Sequence, residues 1–208
     1  MAAQHWRFHL SGRASVDLAN TVSWRASGRP VERLESVGDV VRWATQCRLI
    51  GDRDARELAR QAKGNAARAA LAVTRIRALR EAIYRVFSRL ADGHTPHRTD
   101  LAAINRVLAQ ALGHLRVTTG TDRRFVLAWE KGSTSLDKLV WPAARSVAEI
   151  LTSEQVGRIK KCPSANCGWI FLDTTRSGTR RWCDMRVCGN RAKARRHYHR
   201  ARSARRIR

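Results

Sequence analysis

Apolar residues recur at helical spacing along most of the chain. The clearest run predicts a helix from Ala66 to Leu90, in which Ile76, Leu79, Ile83, Val86 and Leu90 follow at steps of 3, 4, 3 and 4. That spacing lines one face of a helix, and Asp92-Gly93 stops it. Ser36, with Asp39 three residues on, has the form of an N-cap with its acidic capping-box partner. It predicts a helix over Val37 to Leu49, ended by Gly51. Asp52 is placed to cap the next helix, through Lys63, and Thr99 to cap one through Leu112. Pro142 suits the first turn of a helix that ends near Leu151. Ser15 to Ser23 reads as a short helix, followed by a polar loop through Gly28 and Pro30.

Strand patterns are few and short. His5 to Leu10 reads as one. Leu115 to Thr119 and Arg124 to Glu130, around Gly120-Thr121-Asp122, predict a hairpin. Trp169 to Leu172 reads as a strand, with Arg180-Arg181-Trp182 as its return partner. The expected class is mainly α with small β-hairpins (α+β). Residues 1–155 form a helical domain, and 156–208 form a small unit with a trailing helix.

Charge sharpens that division. The 208 residues carry a formal net charge of +24, from 41 Lys+Arg against 17 Asp+Glu. Residues 158–208 hold 16 of the basic residues and only 2 acids. So basic a chain favours a polyanionic partner, most simply nucleic acid. The apolar content of 43% excludes a wholly disordered chain. No apolar run approaches the ~20 residues a spanning helix needs. Met1 to Gly12 places His5, Arg7 and His9 where a secretory leader needs an unbroken apolar stretch. The expected location is therefore cytoplasmic, at the nucleoid. In that reducing compartment the five cysteines are thiols or metal ligands, not disulfides.

Four of them form two Cys-x4-Cys pairs, Cys162 with Cys167 and Cys183 with Cys188, separated by fifteen residues. Each pair can bend a short loop so that two sulfurs face one point. Four thiolates make a closed structural zinc site with no open position for catalysis. The set carries formal charge −2 with its metal, which Lys160, Lys161, Arg180, Arg181 and Arg191 would offset. One structural Zn²⁺ is the expected cofactor. Cys47 falls inside an amphipathic helix and reads as a core thiol. Knuckle, hairpin and helix in that order give a treble-clef-like unit.

The stretch from Cys162 to Arg196 resembles the CGNR zinc finger, whose tetrapeptide stands here as Cys188-Gly189-Asn190-Arg191. The matching context is Trp169, Phe171-Leu172-Asp173, Arg180-Arg181-Trp182-Cys183 and Met185. The N-terminal part resembles ABATE, a stress-induced transcription regulator domain that accompanies this finger in bacterial proteins. The matching pieces are Asp17-Leu18-Ala19-Asn20-Thr21, the Asp39-to-Ile50 helix and the Leu79-to-Leu90 helix. Val-Asp-Leu at Asp17 departs from the Leu-Asp-Phe more common in that family. The resemblance implies a zinc-bearing, DNA-binding bacterial regulator with an N-terminal sensor or assembly domain.

Arg191 to Arg208 contains nine Lys/Arg and no acid. At 100° per residue, Arg191, Arg195, His199, Arg202 and Arg206 share one 80° sector, while Ala194, His197, Ala201 and Ala204 form a stripe that could seat the helix on the finger. With Arg180 and Arg181 these are the expected DNA contacts, through phosphates and through bidentate pairs with guanine. Asp17, Asn20 and Thr21 lie three and four residues apart on one helical face. With Trp24 and Arg25 they are the candidate pocket for a small-molecule effector. Trp129 and Trp141 read as core or interface, and Arg145 as one half of an ion pair. No phosphate loop, Ser/His/Asp arrangement or His-x-Glu deaminase signature appears, so an enzyme is not expected. Two partner readings remain: a regulator on duplex DNA, with a homodimer as one form, and an RNA- or ribosome-associated zinc protein.

Overall fold

The computed structural model describes residue 8, residues 11–130 and residues 136–206. Apart from Phe8, the expected strand His5 to Leu10 lies outside the described residues. The chain runs α1 (Ala14–Ala19), β1 (Val22–Ser23), β2 (Val31–Glu32), α2 (Val37–Gln46), α3 (Asp52–Gly64), α4 (Ala66–Ala91) and α5 (Arg98–Gly113). It continues with β3 (Leu115–Thr119), β4 (Phe125–Trp129), α6 (Trp141–Leu151), β5 (Ile159–Lys161), β6 (Ile170–Leu172) and α7 (Asn190–Arg206). The strands form three separate two-stranded antiparallel ladders: β1 with β2, β3 with β4, and β5 with β6.

Side-chain caps set the starts of α2 and α4. Ser36 and Asp39 form a capping box, with Asp39 N donating to Ser36 Oγ (3.2 Å) and Ser36 N to Asp39 Oδ2 (2.9 Å). The Asn65 side chain caps α4 by accepting from Arg68 N at 2.9 Å. Two expected caps fall one or two residues away. Gly51 is the N-cap of α3, and Asp52 joins Asp54 in its first turn, where a carboxylate suits the positive helix end. His97, not Thr99, precedes α5.

Two helices stop earlier than their apolar pattern. α2 ends at Gln46 because Arg48 takes the left-handed region (φ 57°). Leu49 N then reaches back to Ala44 O (2.9 Å) and Arg48 N to Thr45 O (3.0 Å), a Schellman closure with arginine where glycine is usual. α1 ends at Ala19, not Ser23. Thr21 Oγ1 donates to Leu18 O (2.8 Å) and Trp24 turns left-handed (φ 56°), sending Val22 and Ser23 into a strand.

The core gathers around α4. Trp43, Phe87, Leu18, Leu34, Leu58, Ile76 and Ile83 are fully buried there. Ile159, Ile170 and Leu172, which lie beyond residue 155, belong to the same cluster. β5 lies along α4 and β6 touches α1. The two segments therefore share one apolar core.

An ionic chain fastens the β1–β2 loop to α4. Arg80, 4% exposed, grips Glu32 with both guanidinium nitrogens (2.6 and 2.8 Å) and gives its Nε to Glu81 (2.9 Å). Glu81 in turn accepts both nitrogens of Arg25 (2.7 and 3.1 Å). Burial raises the pKa of both glutamates, but the arginine contacts outweigh it and hold them below the ordinary value. Away from this core, the β3–β4 hairpin exposes Val117, Phe125 and Leu127. The register Val117↔Leu127 and Thr119↔Phe125 puts them on one face. At its base His114 stacks on Trp141 with centroids 4.4 Å apart, and Trp129 tilts against Trp141 at 5.8 Å. Arg145 pairs with Glu149 one turn on, at 2.7 Å.

Candidate metal centre and nucleic-acid interface

The metal centre starts as the tip of a hairpin. β5 and β6 pair as Ile159↔Leu172, Lys160↔Phe171 and Lys161↔Ile170. Cys162 N continues the ladder to Trp169 O (2.8 Å), and the turn closes with Cys167 N on Ser164 O (2.9 Å). Gly168 carries the left-handed corner (φ 67°), where a Cβ would meet Ala26 at 3.2 Å. The first cysteine pair therefore lies inside the hairpin, not before it. Arg180-Arg181-Trp182 is not the return strand.

The reason is Asp173. Its carboxylate captures Arg180 N (2.9 Å), Thr175 N (3.0 Å), Thr175 Oγ1 and Lys160 Nζ (2.6 Å), which curls the chain into a loop. Burial raises the Asp173 pKa, but these donors, Lys160 first, outweigh it and hold the carboxyl well below the usual carboxylate range. Lys160 also donates to Gly178 O and Arg180 O.

The second pair sits at a helix start. Asp184 Oδ1 caps the turn by accepting from Arg186 N (2.7 Å) and Val187 N (3.3 Å). Residues Met185–Gly189 form a π-type turn that runs directly into α7. The Cys162, Cys167, Cys183 and Cys188 side chains are all buried, and their sulfurs lie within 4.8 Å of one another. Cys167 and Cys183 Sγ are 3.5 Å apart, and Cys183 and Cys188 Sγ 3.7 Å. A tetrahedron with Zn–S of about 2.3 Å has edges of roughly 3.8 Å, so the donors fit one zinc. Four thiols this close cannot all ionise without a cation. The Cys162 thiol is pulled down by hydrogen bonds from Cys167 and Cys183, while those with Cys162 push Cys167 up to about 12. One structural Zn²⁺ held by these four sulfurs resolves that conflict. Cys47 lies elsewhere, half-buried at the end of α2, its thiol raised to about 12 by burial and by Asp17.

The expected DNA contacts are placed unequally. α7 is helical across Asn190–Arg206, so Arg191, Arg195, His199, Arg202 and Arg206 lie on one helix. Arg195 and Arg202 are exposed. Arg191 instead sits over the Trp24 ring, with Cζ 4.8 Å from its centroid. Arg180 is turned inward, its Nε on Trp182 O (2.9 Å), its Nη2 on Cys183 O, and its Cζ 4.9 Å from the Phe171 ring centroid. Arg181 is exposed beside Trp182. The part of the alanine stripe whose side chains are described does not seat the helix. Ala194 and His197 are exposed, and α7 is anchored through the turn that precedes it.

The proposed effector residues do not converge. Asp17 is buried and accepts from Ser11 N at 2.5 Å. Asn20 is bonded to Ile170, and Thr21 to Leu18 O and Arg80. Arg25 is locked to Glu81 and lies 3.9 Å above the Tyr84 ring. Only Asn20 and Trp24 reach a cleft of about 330 Å³ between the β1–β2 loop and the finger. Arg33, Trp169, Asp184 and Val187 also line it. No spacing rule links Arg33 to Val187. Trp169, two residues after Cys167, is the one visible pointer.

Fold and site together define a helical protein whose C-terminal segment is a four-cysteine zinc finger. The chain belongs to the ABATE family, described as "Putative stress-induced transcription regulator", which matches residues 12–154. Residues 158–201 match the CGNR zinc finger. No curated protein matches the chain significantly.

Proposed function

We propose that this chain is a zinc-dependent, DNA-binding bacterial transcription regulator, working in the cytoplasm at the nucleoid and not as an enzyme. The observation that carries the reading is α7. It is a 17-residue helix that grows directly out of the zinc knuckle, with exposed Arg195 and Arg202. No acid follows Asp184. A metal-anchored basic helix of this length is suited to a groove of duplex DNA. Residues 1–155 act as the sensor or assembly part, and the apolar face of Val117, Phe125 and Leu127 supports assembly as a homodimer.

Fluorescence anisotropy of the full, zinc-loaded chain on random and selected duplexes at about 150 mM salt tests the reading. Sequence-selective duplex binding is expected. Arg195→Ala and Arg202→Ala should each cut the slope of log affinity against log salt by roughly 0.9 where a phosphate contact is lost. Equal affinity for ribosomal RNA and every duplex overturns it in favour of the RNA-associated reading.

A further inference from the structure

The cleft beside the finger is lined by groups of opposite character. Its volume of about 330 Å³ lies within the range of ligand sites, roughly 300–1,000 Å³. Buried Cys167, Cys183 and Cys188 form its inner wall, with Asp184 alongside. With zinc bound, the thiolate set is formally −2, so this wall accepts hydrogen bonds from N–H donors. Half-buried Arg33 and exposed Arg191 line it as well, and their guanidinium groups favour an anion.

Trp24 adds an aromatic face. It lines the cleft, is 40% exposed and holds a left-handed backbone (φ 56°) that a large side chain rarely adopts. The Arg25–Glu81 and Arg80–Glu32 pairs hold the loop on either side of it in place. The strained residue thus presents its indole to the cleft, and the Arg191 guanidinium already lies over that ring. An aromatic platform, two guanidinium groups and acceptors lining one mostly apolar cavity select a flat ring. That ring carries N–H donors and an attached anion.

We propose that this cleft binds a nucleotide, its base against the Trp24 indole and the sulfur wall and its phosphate at Arg33 and Arg191. Arg191 is in the first turn of α7, so a phosphate bound there engages the start of that helix. The nucleotide is either free or one unit of a nucleic-acid strand. The inference stands whether or not α7 reads duplex DNA.

Isothermal titration of the full, zinc-loaded chain with AMP, GMP, CMP and UMP tests it, with ribose 5-phosphate and the free nucleosides as half-ligands. One site per chain is expected, and ribose 5-phosphate should bind at least tenfold more weakly than the best nucleotide. Trp24→Gly accepts the left-handed backbone without strain. It should keep its zinc and its melting temperature and lose about tenfold or more in affinity, the worth of one base stacked on an aromatic ring. Arg33→Gln is the second variant, and should lose affinity for nucleotides but not for nucleosides. A short single strand that displaces the nucleotide marks the site as one for a base of a strand. A nucleotide undisturbed by saturating strand marks it as one for the free compound. No binding below about 1 mM, equal binding of ribose 5-phosphate, or unchanged affinity in both variants overturns the proposal.

Discussion

Asn20 holds Ile170 by both of its backbone groups: Nδ2 donates to Ile170 O at 2.8 Å, and Oδ1 accepts from Ile170 N at 2.9 Å. One amide side chain thus completes the free edge of β6, 150 residues further along the chain. Two more bonds reinforce the seam, from Trp169 Nε1 to Val22 O (2.8 Å) and from Tyr84 OH to Gly168 O (2.9 Å). Replacing Asn20 by Ala leaves a buried N–H and C=O unpaired, which costs roughly 1–3 kcal/mol for each. At about 2–4 °C per kcal/mol for a chain of this size, the melting temperature should fall by several degrees. Asn20→Asp should be worse, because a carboxylate then faces Ile170 O. Thermal melts of the zinc-loaded variants check both.

Metal analysis of protein purified without added zinc should give about one Zn per chain. Ser at any one of Cys162, Cys167, Cys183 or Cys188 should abolish stoichiometric loading. Because Ile159, Ile170 and Leu172 sit in the main core, metal loss should also lower the melting temperature of the helices. A fragment ending at Ser153 should unfold at lower temperature, and less cooperatively, than the full chain. Circular dichroism against temperature reads both effects, and an unchanged helical melt would refute the shared core.

Arg48 is the left-handed closing residue of α2, and its backbone does not need a side chain. Arg48→Gly should stabilise the protein by about 1 kcal/mol, by removing the strain of a side chain in that region. Chemical denaturation should show a higher midpoint with an unchanged slope.

Asp173 supplies a pH dependence of known sign. Its folded pKa is depressed, so its stabilisation is fully present above the ordinary carboxylate pKa and is lost as pH falls through the lower folded value. Asp173→Asn keeps an acceptor but loses the ion pair with Lys160, and should cost roughly 1–3 kcal/mol at neutral pH. The gap between variant and parent should narrow in acid. Both are compared zinc-loaded at each pH, so that the acid sensitivity of the thiolates enters equally.

Local signals carry most of the architecture. The spacing of Ile76 to Leu90 marks α4, the Ser36–Asp39 pair marks the start of α2, and the doubled Cys-x4-Cys marks the metal centre. All three are short-range regularities. β5 and β6 are three residues each, too short for a period, and their pairing is decided by what Asp173 does to the chain after them. The candidate site is hardest to foresee for the same reason. Asp17, Asn20 and Thr21 share a helical spacing, but α1 stops at Ala19, and each side chain is drawn to a different distant partner. Arg33 and Val187, 154 positions apart, line one cleft, and the neighbour of Arg33, Glu32, is held by Arg80 from 48 positions away.

The shared core has a reciprocal consequence. Zinc binding and the packing of the helices are linked equilibria, so whatever tightens one tightens the other by the same factor. A compound that firms up the bundle would make the finger a stronger chelator, and a core mutation far from any sulfur would make it a weaker one. The metal's dissociation constant would then serve as a gauge of the helical body's integrity, readable with a competing chelator alone.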